Sequence, residues 1–142
     1  RRLMKIKKKL LFIISGSISL LIFCGSVSAK KNATISACMA KNQKDTELAF
    51  CLDKVKELAD KELTTWVNNQ TFILESLMKT SGRGAALKIF KRSQGNFVKF
   101  REDNCRWQYL QIAPDTSAAS AYKKCYIRLT KARSEELAKL GR

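Results

Sequence analysis

Apolar residues recur along this chain at helical spacing. From Leu48 they fall at Leu48, Leu52, Val55, Ala59, Trp66, Ile73 and Leu77, tracing one stripe of a long helix. Asp45 or Thr46 would cap its start, with Glu47 in the first turn. The run Thr80 to Gly84 (TSGRG) carries two glycines suited to a helix end and a turn. A second helix is predicted from about Ala85 to Ile112, with Leu87, Phe90, Phe97, Val98, Phe100 and Trp107 as its apolar side. After APDTS (Ala113 to Ser117), Thr116 or Ser117 would cap a third, with Tyr122, Cys125, Leu129, Ala132 and Leu137 at helical spacing. Lys30 to Lys44 reads as polar and irregular. Three amphipathic helices on short turns predict an all-α fold: a small antiparallel bundle with one long N-terminal helix.

The beginning of the chain reads differently. Arg1 to Lys9 is strongly basic, Leu10 to Gly25 is apolar with small residues, and Val27 and Ala29 supply a cleavage pattern. That order predicts a secretory signal over residues 1–29, with Met4 as a candidate start. The apolar run is interrupted by Gly and Ser and falls short of the roughly 20 residues a membrane span needs. Cys24 suggests a lipoprotein route, but Phe23 stands where lipid modification wants a small residue. The expected division is a signal at 1–29, an irregular segment at 30–44 and a helical domain at 45–142, in the periplasm or secreted. Membrane attachment would follow only from lipidation of Cys24.

Cysteines and charge sharpen this picture. Beyond the signal lie four cysteines, Cys38, Cys51, Cys105 and Cys125, an even number that argues for two disulfides in a small exported domain. Three pairings are open, and local closure across turns favours Cys38–Cys51 and Cys105–Cys125. With no histidine in the chain, a zinc site is disfavoured and no cofactor is expected. The whole chain holds 28 basic and 12 acidic side chains. Removing the six basic residues of the leader leaves 28 − 6 = 22, a balance of +10. Such a surface suits anionic envelope polymers, while export argues against nucleic acid.

Catalytic constellations are weak. Without histidine, a serine or cysteine nucleophile lacks its usual base. Glu102–Asp103 and Glu135–Glu136 are adjacent pairs, and neighbours on a helix do not face one another. SGRG is too short for a phosphate loop. Asn32-Ala33-Thr34 and Asn69-Gln70-Thr71 match only the short glycosylation pattern.

The stretch FVKFREDNCRW (Phe97 to Trp107) is more informative. Phe90, Gln94, Phe97, Arg101 and Cys105 succeed one another by three or four, so they share one face. A charge on that buried face needs partners. Asp60 or Glu62, with the face of Trp66 or Tyr122, would make a polar clamp with Arg101, fixing helix register. The aromatics of the stretch would fill the core.

Four ordered motifs then resemble a known family. They are the Cys38–Cys51 spacing, LADKELTTW (Leu58 to Trp66), SQGNFVKFREDNC (Ser93 to Cys105) and CYIRLTKARSEEL (Cys125 to Leu137). Together they resemble the lysozyme inhibitor LprI-like domain of bacterial exported proteins, over Cys38 to Leu140. Asp60, Glu62, Leu63 and Trp66 match the first helix motif, and Gln94, Phe100, Arg101 and Cys105 the second. Cys125, Thr130, Arg133 and Leu137 match the third. Phe97 stands where the family usually has Trp, and Glu102 where it has Asp. The resemblance implies an exported, non-enzymatic helical domain with two disulfides, inhibiting lysozyme or another wall-active enzyme. Asp115, in the APDTSAAS stretch (Ala113 to Ser120), is the acidic candidate for such a contact. The competing expectation is a basic envelope module, with Lys88, Lys91, Arg92 and Lys99 on the second helix and Lys123, Lys124, Arg128 and Lys131 on the third.

Overall fold

The structure, a computed structural model, describes residues 33–41 and 44–140, so the expectations for the signal, its cleavage after Ala29 and Cys24 lie outside it. The described residues form four helices and no strand: α1 (Ile35–Lys41), α2 (Asp45–Ser81), α3 (Gly84–Ile112) and α4 (Ala118–Leu140). Three long helices thus form as their periodicity predicts, with a short one added. None of the four is long and apolar enough to cross a membrane.

The added helix corrects the expectation of an irregular segment at 30–44. Seven residues are too few for periodicity to show. The Thr34 hydroxyl accepts the Ala37 N–H at 3.0 Å, which supplies an N-cap, and the Cys38–Cys51 disulfide fastens the turn to α2. At the other end of α2 the chain reverses at Gly82. Its φ of 69° suits glycine, and its N–H closes on the Met78 carbonyl at 2.9 Å. Asp45 does not cap α2. It is the first helical residue, and its carboxylate accepts the Thr116 hydroxyl at 2.7 Å, joining the start of α2 to the α3–α4 turn.

α4 lies against both α2 and α3. Two core clusters result: Cys38, Leu52, Val55, Ala59 and Ile127 in one, Cys105, Cys125 and Tyr126 in the other. Each contains one disulfide, Cys38–Cys51 or Cys105–Cys125, closing sequence separations of 13 and 20 residues. The chain-entropy estimate gives about 3 kcal/mol for each closure.

The buried face of α4 includes Ser120, Thr130 and Ser134, while Ala132, expected inside, is exposed. These hydroxyls tolerate burial because each returns a hydrogen bond to its own helix: Ser120 to Ser117, Thr130 to Tyr126 and Ser134 to Thr130. Contacts Lys123–Asp53 and Lys56–Tyr126 put α4 in register with α2 at an offset of 123 − 53 = 126 − 56 = 70 residues. Leu140 therefore ends level with about residue 70 of α2. Ile73, expected on the buried stripe, lies beyond that cover and is 40% exposed, as its neighbour Phe72 is at 72%.

On α3 the aromatics divide. Phe90 and Phe97 are half-buried, but Val98, Phe100 and Trp107, expected in the core, are exposed. Phe100 and Trp107 lie seven residues apart on a flank that no other described helix covers. Ile127→Ala should therefore cost about 2–5 kcal/mol by emptying a fully buried site, and Phe100→Ala under about 0.5 kcal/mol. Urea unfolding of both variants checks the contrast.

Candidate binding site

Arg101 is the buried charge of this domain, 6% exposed. It is carried inward from the middle of α3 on the same face as Gln94, Phe97 and Cys105. Its Nη1 donates to Thr130 Oγ1 on α4 at 2.9 Å and to Asp60 Oδ1 on α2 at 3.4 Å. The guanidinium lies 3.8 Å above the Tyr126 ring and 5.5 Å from that of Phe97. One side chain thus reaches all three long helices.

The sequence expectation offered Asp60 or Glu62 and the face of Trp66 or Tyr122. Helical geometry decides among them. Glu62 and Trp66 sit about 160° and 120° around α2 from Asp60, so they point elsewhere. Glu62 is exposed and Trp66 half-buried. The ring under Arg101 is Tyr126 rather than Trp66 or Tyr122. Tyr126 is not singled out by the sequence, and Thr130 only as a motif position, although their i, i+4 spacing beside Cys125 puts them on one face.

The network continues from Arg101. Lys56 donates to Asp60 Oδ2 at 2.9 Å and stands 4.0 Å from the centre of the Tyr126 ring. Burial alone would lower the Lys56 ammonium, but the hydrogen bond and charge of Asp60 outweigh it and raise its pKa. Tyr126 is raised chiefly by burial, against the opposing charge of Arg101. Farther along α4, Arg133 donates to Gln94 Oε1 at 3.1 Å, to Ser93 and to Glu136. Gln94 and Arg133 thus form a second tie between α3 and α4. On the opposite flank the Tyr122 hydroxyl donates to Glu102 at 2.5 Å, and burial followed by this carboxylate pushes it up to about 12.

Between these ties lies a cleft of about 370 Å³. Asp60, Leu63, Thr64 and Val67 of α2, Gln94, Phe97, Val98 and Arg101 of α3, and Tyr126 of α4 line it. A larger hollow of about 590 Å³ is lined by α2 alone, from Asp53 to Thr65, and is an open helix face. There Glu57 is held down at about 2 by its hydrogen bonds to Lys54 and Lys61.

The basic candidates do not form one cluster. Lys123 donates to the Ala49 carbonyl and pairs with Asp53 at 2.7 Å, and Lys91 sits 3.7 Å from Glu75. Lys124 and Arg128 line a hollow of about 370 Å³ with Ile35, Met39, Gln108 and Ala121. Lys131 is half-buried. Lys88, Arg92 and Lys99 are exposed and make no ion pair with a described residue. With Arg106 they recur at 88, 92, 99 and 106 along one exposed stripe of α3. Asp115 is exposed, and its carboxylate accepts the Ser117 hydroxyl and backbone N–H, which lower its pKa.

The described residues thus form a disulfide-stapled helical domain in which Arg101, Arg133, Lys123 and Tyr122 join helices. The sequence profile of the lysozyme inhibitor LprI family matches residues 38–137, and the chain belongs to that family. No curated protein matches the chain, and no solved structure does.

The site makes stability fall at alkaline pH. Tyr122, Tyr126 and Lys56 all have raised folded-state pKa values, so the native state keeps these protons longer than the unfolded chain does. Their contribution is complete below pH 10 and fades as pH climbs toward about 12. The urea midpoint should fall over that window, and Tyr122→Phe should shrink the fall.

Proposed function

We propose that this chain is an exported, non-enzymatic inhibitor of lysozyme or of another enzyme that acts on the cell wall. Family membership over residues 38–137 carries the reading. Two features of the domain support it. An inhibitor needs a rigid surface, and two disulfides with a three-helix clamp supply one. It also needs apolar anchors left outside the core. Phe100, Trp107 and Leu110 are 55%, 55% and 60% exposed on α3, and aromatic anchors of this kind dominate many protein interfaces.

A basic enzyme would be repelled at long range by the basic balance of this chain. Local charge modifies that. The first half of α2, residues 45–62, holds six acids (Asp45, Glu47, Asp53, Glu57, Asp60, Glu62) against Lys54, Lys56 and Lys61. The Asp45–Thr116 bond brings Asp115 to the same end. A cationic partner would approach there.

A second reading, binding to anionic envelope polymers, has its own observation in the stripe Lys88, Arg92, Lys99 and Arg106. Charges repeated over about 27 Å, at 1.5 Å per residue, suit a repeating polyanion. One set of measurements separates the two. Purified protein at micromolar excess should slow lysozyme clearing of wall suspensions, and Trp107→Ala should weaken that inhibition at least about tenfold. Undiminished clearing, together with salt-sensitive retention on the wall that Lys99→Glu abolishes, would replace the first reading by the second.

A further inference from the structure

The outer side of α3 carries large apolar residues where the outer side of a bundle helix is ordinarily polar. Ile89, Phe100 and Trp107 are each more than half exposed there. A cation directly precedes each of them: Lys88, Lys99 and Arg106, with Arg92 one turn beyond Lys88. At about 100° per residue the three apolar side chains fall within about 20° of one another. The four cations form a neighbouring row about 90° further round the helix. Arg101 and Cys105, on the buried face, lie about 100° or more from either row. Both rows run about 27 Å along the helix, and Asp103 is the one acid on this side among the described residues. Ile89, Phe100 and Trp107 do not line the clefts between helices; they stand on an open helix side.

An occupant of this side has to answer both rows. A second copy of the chain would set the four cations of each protomer against those of the other. A soluble polyanion would neutralise the cations and leave the apolar row in water. A protein interface gathers its anchors near one centre. Here Ile89 and Phe100 stand about 16 Å apart along the helix, with Arg92 and Asn96 between them. An anionic bilayer has none of these conflicts. Its phosphates meet the cations, and its headgroup boundary admits apolar side chains one at a time, with no register to satisfy. Tryptophan favours that boundary, and the long stems of Lys and Arg keep their charges at phosphate level while neighbouring rings sink deeper.

We propose that the outer side of α3 docks on an anionic phospholipid bilayer. The helix lies along the surface, Ile89, Phe100 and Trp107 enter the headgroup boundary, and Lys88, Arg92, Lys99 and Arg106 pair with lipid phosphates. The clamp and both disulfides lie on the buried side of α3 or beyond it, so docking asks nothing of the core. This attachment needs no lipid on Cys24. It goes beyond enzyme inhibition and stands or falls independently of it, because vesicle binding is measured with no enzyme present.

Co-sedimentation with vesicles tests it, using the chain from Lys31 on so that the apolar run Leu10 to Gly25 does not bind them itself. Lys31–Arg142 is a compact unit that holds all four helices and both disulfides. Vesicles of equal parts phosphatidylglycerol and phosphatidylcholine should bind it, at least about tenfold more tightly than phosphatidylcholine alone. Added salt should weaken that binding. Trp107→Ala should weaken it at least about tenfold and Lys99→Glu at least about fivefold, with circular dichroism unchanged because both side chains are exposed. Phe50→Ala, which removes an exposed aromatic of α2 outside this side, should leave it unchanged. Tryptophan emission should move to the blue on binding, and not in Trp107→Phe. Absence of binding, equal binding to the neutral vesicles, no loss in Trp107→Ala, no emission shift, or an equal loss in Phe50→Ala would each overturn the proposal. Binding to soluble polyglutamate that Trp107→Ala weakens, with none to vesicles, would give this side to an acidic protein instead.

Discussion

The guanidinium of Arg101 sits where α2, α3 and α4 meet, and a charge in that place constrains everything around it. Withdrawing such an ion from water costs several kcal/mol, which is recovered only with good partners. Here the partners come from different helices: Asp60 from α2, Thr130 and the Tyr126 ring from α4. Asp60 remains about a third exposed, so its attraction is partly screened, and the net gain over an apolar core is small. What the arrangement supplies is discrimination. A slip of either neighbouring helix by one residue would strand the charge, whereas an apolar contact would tolerate it.

The disulfides act on the same problem from the other direction. Cys105 lies one turn beyond Arg101, and Cys125 lies just before Tyr126, so one covalent bond fixes the α3–α4 spacing beside the clamp. Cys38–Cys51 holds α1 over the other core cluster. With register set at that end, the helices can differ in length. At 1.5 Å per residue α2 runs about 55 Å and α4 about 35 Å. The end of α2 therefore runs on past α4, and Phe72 and Ile73 remain on the surface there.

Much of this was legible in the sequence, for identifiable reasons. Period and turn chemistry located the three long helices, because glycines and a proline-containing turn interrupt otherwise continuous stripes. The face Phe90, Gln94, Phe97, Arg101 and Cys105 could be read because a charge among apolar residues at helical spacing demands burial with partners. Its partners could not be read completely. On α4, polarity concealed Thr130 and Ser134 as inward residues, since a hydroxyl bonded to its own helix is as admissible inside as a methyl. Phe100 and Trp107 failed in the opposite sense: an aromatic on the flank of a helix is buried only if a neighbour covers that flank, and no described helix does. The short α1 was invisible to any periodic pattern, and the cleft depends on side chains from three helices that no one-dimensional spacing relates.

Arg101 acts as a joint between helices rather than as an isolated buried charge. A double-mutant cycle on Arg101→Met and Thr130→Val, read by urea unfolding, measures that joint. A coupling energy of about 1 kcal/mol or more between the two positions is predicted. Additivity within about 0.5 kcal/mol would contradict it, because the two side chains would then contribute separately and the hydrogen bond joining α3 to α4 would carry nothing.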